Sequence, residues 1–305
     1  MNTQGNQSLY RLIRSYMADM GTSRTTLVAL KSYIDAIGRL RCDAAGFTPM
    51  LARLNAVIKA TEPRVIPLVH LVEAFEAEMA AQGDLPLEAA KQRALELLRQ
   101  KRVQYQNATK QLTANCVNCI ASGDLIVAHL LPAYIREALV RARTERKLDF
   151  RVLAVKHDFV RTRELIEDLE RHRIDYFLIP EYNLSHYLKS PAKSFIGGVS
   201  VTSDNQAVTP VGTANMVGLC HWYRVPVYLF VESIKFAHKG LADQRIYSEA
   251  REQTEADVTF HMATYSHDFI DLAMIDHIFT EMGEITGGTP SLMGGHTRDS
   301  HGGES

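Results

Sequence analysis

Gly212-Thr213 and Lys235 are the residues of this sequence best placed to hold a ligand. Gly212-Thr213 opens the stretch VGTANMVGLCHWY, in which Met216, Leu219, Cys220 and Tyr223 share one face at helical spacing. A helix start presents unpaired backbone N–H groups at the positive end of the helix dipole, and so makes a ready anion site. Lys235 follows the apolar run VPVYLFVE, at the carboxyl edge where open α/β sheets put their ligands. Gly21-Thr22-Ser23-Arg24 is another helix start with hydroxyls and a cation. It reads either as a simple cap or as a phosphate clamp contributed by a helical domain.

Single histidines stand at strand ends. His129 closes the run LIVAH, and His157 has the same relation to the next strand. Each is either a structural hydrogen-bonding residue or an acid–base group at the cleft. His261, His267 and His277 are spread without metal-ligand spacing. Cys116-Val117-Asn118-Cys119 lacks the two further ligands of a zinc site, since no second such pair and no HxxxH exists. It falls near a helix end rather than at the strand-to-helix turn of a redox motif, and it continues an apolar stripe. Core packing is the expectation for both thiols. Nothing calls for a metal or a cofactor.

The elements that must position these groups fall into two parts. Residues 1–120 read as helices: Leu9 to Met20 in one stripe stopped by Gly21, a second carrying Leu27 to Ile37, and a third opened by Thr48-Pro49. A fourth follows Pro67, and 87–120 is either one long helix or two joined by a bend around 104–109. From Leu125 the period changes. Strand-like runs at 125–129, 150–155, 175–179, 195–201 and 225–232 alternate with helical stretches at 132–147, 162–172, 183–189 and 211–223. That rhythm predicts a Rossmann-like parallel sheet with helices on both faces, over residues 121–286. TSDNQ is turn chemistry for a short hairpin-like excursion. Residues 241–262 are polar and give no assignment, Phe269–Met282 reads as a last amphipathic helix, and the Gly/Ser-rich tail 287–305 reads as disordered.

With 305 residues, a net charge of −1 and four cysteines, the chain has the composition of a globular protein of the cytoplasm. Its charge gives no reason to expect nucleic acid as a partner. No apolar run approaches a membrane span, and the N-terminus lacks a signal-peptide core.

Three segments carry a family resemblance: ASGDLIVAH (121–129), PVGTANMVGLCHWYRVPVYLFVESIKF (210–236) and LAMIDHIFTEMGEI (272–285), with EPRVIPL (62–68) as a lesser one. In this order the chain resembles the superfamily of the regulatory subunits of eukaryotic initiation factor 2B, methylthioribose-1-phosphate isomerase and ribose-1,5-bisphosphate isomerase. The resemblance implies a helical N-terminal domain, a Rossmann-like C-terminal domain that dimerises, and a sugar-phosphate or nucleotide pocket between them. It implies ligand-binding roles for Gly21, Thr22, Arg64, His129, Gly212, Thr213 and Lys235. The isomerases' catalytic cysteine, in a Thr-His-Cys-Asn-like sequence, is met here by Ala128-His129-Leu130-Leu131. Their Gly-Ala-Asp acid is met by Gly197-Gly198-Val199, and their Asn-Lys before Gly-Thr by Thr209-Pro210. Their arginine-bearing segment is met by Lys156-His157-Asp158, or by Arg161 with a shifted alignment.

Moving a proton between adjacent carbons takes a positioned acid and base. Losing both implies a non-catalytic member that binds a phosphorylated sugar or nucleotide, or acts through a protein partner. The alternative is an isomerase with a rebuilt site, in which His129, His157 and Asp204 supply the acid–base groups.

Overall fold

The computed structural model describes residues 3–61, 64–83, 85–156, 159–188, 192–237, 239–240 and 248–285. The expected tail at 287–305 and His157 lie outside them. Helix α1, Thr3–Arg39, is kinked at Gly21, whose φ of 72° and ψ of 171° leave the helical region. A side chain there would strain the backbone, so a glycine sets the bend. Helix α2, Ala44–Lys59, starts earlier than Thr48-Pro49 because Asp43 accepts the Gly46 N–H at 2.8 Å and caps it first. Pro49 then lies inside the helix. Helix α3, Ile66–Ala80, has its proline in the first turn.

Helix α4, Leu87–Asn118, runs through 104–109 as one helix and belongs to two cores. Leu97, Leu98 and Tyr105 pack with Leu30, Ile37, Phe47, Leu68 and Phe75 of the helical layer. Leu112, Cys116 and Val117 pack instead against the sheet. The two layers therefore share a rigid element rather than a flexible linker.

The sheet is built from β1 (Leu125–Ala128), β2 (Arg151–Lys156), β3 (Asp175–Pro180), β4 (Ala192–Gly197), β7 (Val227–Phe230), β11 (His277–Thr280) and β12 (Gly283–Glu284), in the order β12-β11-β7-β4-β1-β2-β3. All its pairings are parallel except β11–β12. Alternate residues serve opposite faces, as the pleat requires. Ile126, Ala128, Val152 and Ala154 face α4, α5 (Ala133–Thr144) and α6 (Phe159–Arg171). Val127, Leu153 and Val155 face the 3₁₀ turn Glu181–His186 and α7 (Thr213–Trp222). On α7, Met216 and Cys220 are buried as expected, whereas Tyr223 is exposed.

Two expectations are corrected. The run 195–201 is not one strand. Gly198 donates its N–H to Phe230 in the parallel sheet, and Val199 donates to Val208 at 2.8 Å in a second, antiparallel sheet. That sheet joins β5 (Ser200–Val201), β6 (Gln206–Pro210) and β10 (His267–Asp271), and TSDNQ turns between β5 and β6. Phe269–Met282 is not a helix but β10, a 3₁₀ turn at Leu272–Met274, and β11. Asp271 caps that turn through the Ala273 N–H at 2.9 Å, and Asp276 accepts the Val227 N–H at 2.8 Å beside β11. Two local carboxylate bonds and the open edges of β6 and β7 supply the backbone partners that a helix would have made internally. Within the unassigned stretch, β8 (Ser248–Glu255) and β9 (Val258–Tyr265) form an antiparallel hairpin.

Candidate functional site

Strands β2 and β3 lie to one side of β1, and β4 and β7 to the other. The chain reverses between β1 and β4, and the crevice at their carboxyl ends is where this architecture holds ligands. His129 follows β1, Gly197 ends β4, and Glu232 to Lys235 follow β7. With strands about 4.8 Å apart, these groups span roughly 10 Å.

At the β1 end, Gly212 takes a left-handed φ of 91° and caps α7. The Thr213 hydroxyl donates to the Pro210 carbonyl at 2.6 Å, and His129 Nδ1 lies 3.3 Å from Thr213 Oγ1. A hydroxyl has one proton, so Thr213 accepts from His129, which assigns the histidine's proton to Nδ1. One exposed N–H of the α7 start is already taken: Ala214 donates to Asp268 Oδ2 at 2.9 Å. A carboxylate from β10 thus lies against the positive end of α7.

At the β7 end, Lys235 is buried. Its ammonium lies 2.8 Å from Glu232 Oε2, 3.0 Å from the Gly198 carbonyl and 3.1 Å from Ser23 Oγ, and 5.6 Å above the Tyr134 ring. The other oxygen of Glu232 accepts the Ser23 hydroxyl at 2.7 Å, with the Tyr105 and Thr109 hydroxyls at 3.3 Å. Residues of α1 and α4 therefore meet the end of β7 through one carboxylate. Burial is the largest influence on Glu232 and pushes its carboxyl up, but the charge of Lys235 and the bonds from Lys235 and Ser23 outweigh it and hold the group below the usual range. Burial and the Glu232 charge push the Tyr105 and Tyr134 phenols well up, so both stay protonated. Glu281 accepts the Ser233 N–H at 2.8 Å, and His70 Nδ1 lies 2.7 Å from the Ile234 carbonyl. These two bonds fix the turn that carries Lys235.

The structure brings the Gly21-Thr22-Ser23 segment to Lys235, and His129 to Thr213. Thr22 is buried and Arg64 half-buried in the segment before α3. Asp204 is exposed in the β5–β6 turn, next to Gly240. Leu130 and Val199, which the resemblance sets against the isomerases' cysteine and aspartate, are half-buried. Leu130 has a φ of 45°, a strained backbone for a leucine. The side chain of Arg161 lies outside the described ones. His261 is exposed on β9, His267 pairs with Ser266 at 2.9 Å, and His277 stacks on Tyr228 and pairs with Glu284 at 2.6 Å. Among the described residues no group of three or more His, Cys, Asp or Glu could hold a metal ion. Cys116 is buried in the sheet core, and Cys119 ends α4 with its thiol pushed up to about 12 by burial and the Glu284 charge. A concavity elsewhere, lined by Ala89, Gln92, Arg93, Glu96 and Arg99, contains none of the site residues.

Sequence reasoning missed Glu232, Tyr105 and Asp268. A glutamate three residues before the lysine in VESIKF was a signal for the first. Nothing local marked the other two.

A parallel sheet with a helical layer across its carboxyl edge defines the class as Rossmann-like α/β. The model of the Initiation factor 2 subunit family matches residues 15–287, and the chain belongs to that family. It is 25% identical over 198 residues to a translation initiation factor eIF-2B subunit 2-like protein of Pyrococcus abyssi, covering 65% of this chain and 69% of that one. It is 20% identical over 246 residues to the eIF2B delta subunit of Dictyostelium discoideum, covering 73% of this chain but only 39% of that one. Its fold is that of the Pyrococcus horikoshii OT3 eIF-2B structure, with a TM-score of 0.74, 19% identity and coverage of 93% and 98%. A chain of the tetrameric eIF2B-beta2-delta2 complex of C. thermophilum gives a TM-score of 0.75 at 19% identity, with coverage of 89% and 90%. No helix among the described residues is long and apolar enough to cross a membrane.

Proposed function

We propose that this chain is a non-catalytic, regulatory member of its family that takes a phosphorylated sugar or nucleotide in the crevice and works in the cytoplasm as a homodimer joined through the sheet domain. The observation that carries this reading is the pairing of leucine and valine at the acid and base positions with a lysine centred between the two layers. Leu130 and Val199 can neither give nor take a proton. Lys235, the Gly21-Thr22 segment, Arg64, His129 and the Gly212-Thr213 helix start are groups suited to an anion. Oligomeric action fits the tetrameric assembly of the C. thermophilum relative.

A thermal-shift screen with pentose phosphates and nucleoside monophosphates tests the binding part. A ligand at 100 times its Kd adds about 2.7 kcal/mol, and Lys235→Ala should abolish the shift. No shift with any compound would sink the binding reading. Ketose formed from ribose-1,5-bisphosphate or methylthioribose-1-phosphate would overturn the non-catalytic one.

A further inference from the structure

We infer that Glu232 is a built-in anion: its carboxylate stands where an external anionic group would meet Lys235, and it keeps the crevice shut between the helical layer and the sheet. The inference rests on the anion-binding reading of Lys235 above and adds how access to that lysine is controlled.

Three observations carry it. Positive or donating groups from three separate parts of the chain converge on this one carboxylate: Ser23 of α1, Tyr105 of α4, and Lys235 itself. Such a convergence is how a protein holds an anion. The ammonium donates to Ser23 Oγ and the Gly198 carbonyl at 3.1 and 3.0 Å, and Glu232 Oε2 faces it as the ionic partner at 2.8 Å. Glu232 therefore already occupies the charge of Lys235 in this arrangement, at the place an incoming anion would need. Finally, both residues are out of reach of solvent, with Glu232 at 0% and Lys235 at 1% exposure, whereas Ser23 is half-buried beside the Gly21 kink.

Removing the carboxylate without replacement would leave a buried, unpaired ammonium, which is costly. Entry of an anion is therefore an exchange. The Glu232 side chain leaves its donors as the incoming group takes them, and α1 moves at its kink to admit it. The closed form competes with the ligand and lowers its apparent affinity by the fraction of time the site is self-occupied.

The test compares the full chain with Glu232→Gln and Glu232→Ala by calorimetric titration with inorganic phosphate. Both variants should bind phosphate at least about tenfold tighter, the effect of a competitor present nine times in ten. Acetate should raise the Tm of Glu232→Ala but not of the parent, by filling the vacated cage, and Glu232→Ala/Lys235→Ala should lose both effects. Equal phosphate affinity in parent and variants overturns the built-in anion and leaves the binding reading standing. No binding of phosphate or phosphorylated sugar by any form overturns both. The parent chain offers a readout that needs no variant to fold: saturating phosphate should speed hydrogen exchange of the 21–26 amides, and an unchanged rate overturns the inference.

Discussion

Glu232 and Lys235 stand at positions i and i+3 with their charged atoms 2.8 Å apart and side-chain exposures of 0% and 2%. Two charges so fully withdrawn from water lose hydration worth several kcal/mol each, and their attraction offsets it only if the remaining donors and acceptors are satisfied. Here Ser23 and Tyr105 satisfy one carboxylate oxygen, the other faces the ammonium alone, and Ser23 and the Gly198 carbonyl accept from Lys235, so two of these three groups belong to the helical layer. The pair is therefore as much a junction between layers as a local contact.

Breaking the pair from one side should be expensive. Lys235→Met leaves an unpaired buried carboxylate and should lower stability by about 3–5 kcal/mol, while Glu232→Gln/Lys235→Met, which removes both charges, should recover much of that loss. Urea unfolding of the three chains measures it. Equal and additive losses would show that the two charges do not depend on each other.

The same pair sets an acid limb. Glu232 is held below the ordinary carboxylate range, so its contribution is fully present above the unfolded value of about 4.3 and is lost as pH falls through the lower folded value. The stability gap between the parent and Glu232→Gln should therefore shrink on acidification from about pH 6 to about pH 3. Urea midpoints across that range check it, and a constant gap would mean that Glu232 is not the ionised partner.

Gly197 lies against the loop that leads into α5. A Cβ there would sit 2.5 Å from Pro132 Cγ and 2.7 Å from its Cδ, and the proline ring cannot swing away. Gly197→Ala should cost about 1–3 kcal/mol through overpacking. Gly218→Ala, in open space inside α7, should instead add roughly 0.5–1 kcal/mol from helix propensity. Thermal melts of both variants give the comparison.

The thiols of the Cys-x-x-Cys pair should be inert. Burial pushes Cys116 well up, Cys119 up to about 12 and Cys220 up to about 11, and thiolate is the reactive form. Timed alkylation followed by mass spectrometry should mark Cys42 first in the native chain and all four cysteines in denaturant. Early labelling of Cys119, or a Cys116–Cys119 disulfide, would contradict the packing role.

Much of the fold was legible because its signals are local. Strands buried on both faces must be apolar at successive positions, so LIVA, RVLAV and VYLF announced themselves between helical stripes, and the alternation specified a parallel sheet. Gly21 was legible as an interruption because few other residues tolerate its backbone angles. The family segments drew attention to Lys235 and Gly212-Thr213 because each is a short, contiguous string.

What was not legible depended on partners distant in sequence. Phe269–Met282 has helical spacing, but the open edges of β6 and β7 offered its backbone better partners than its own helix would. Gly198 and Val199 are adjacent, yet their N–H groups answer to Phe230 and Val208 in different sheets. Asp268 and Tyr105 carry no local mark, because a carboxylate on a strand and a tyrosine on a helix suit many surfaces. The sequence by itself determined which elements form, since propensity, apolar period and capping act over a few residues. Only the tertiary structure decided that Glu232 and Lys235 neutralise each other beneath α1 and α4, because that requires bringing Ser23 and Glu232 within 2.7 Å across 209 residues of chain.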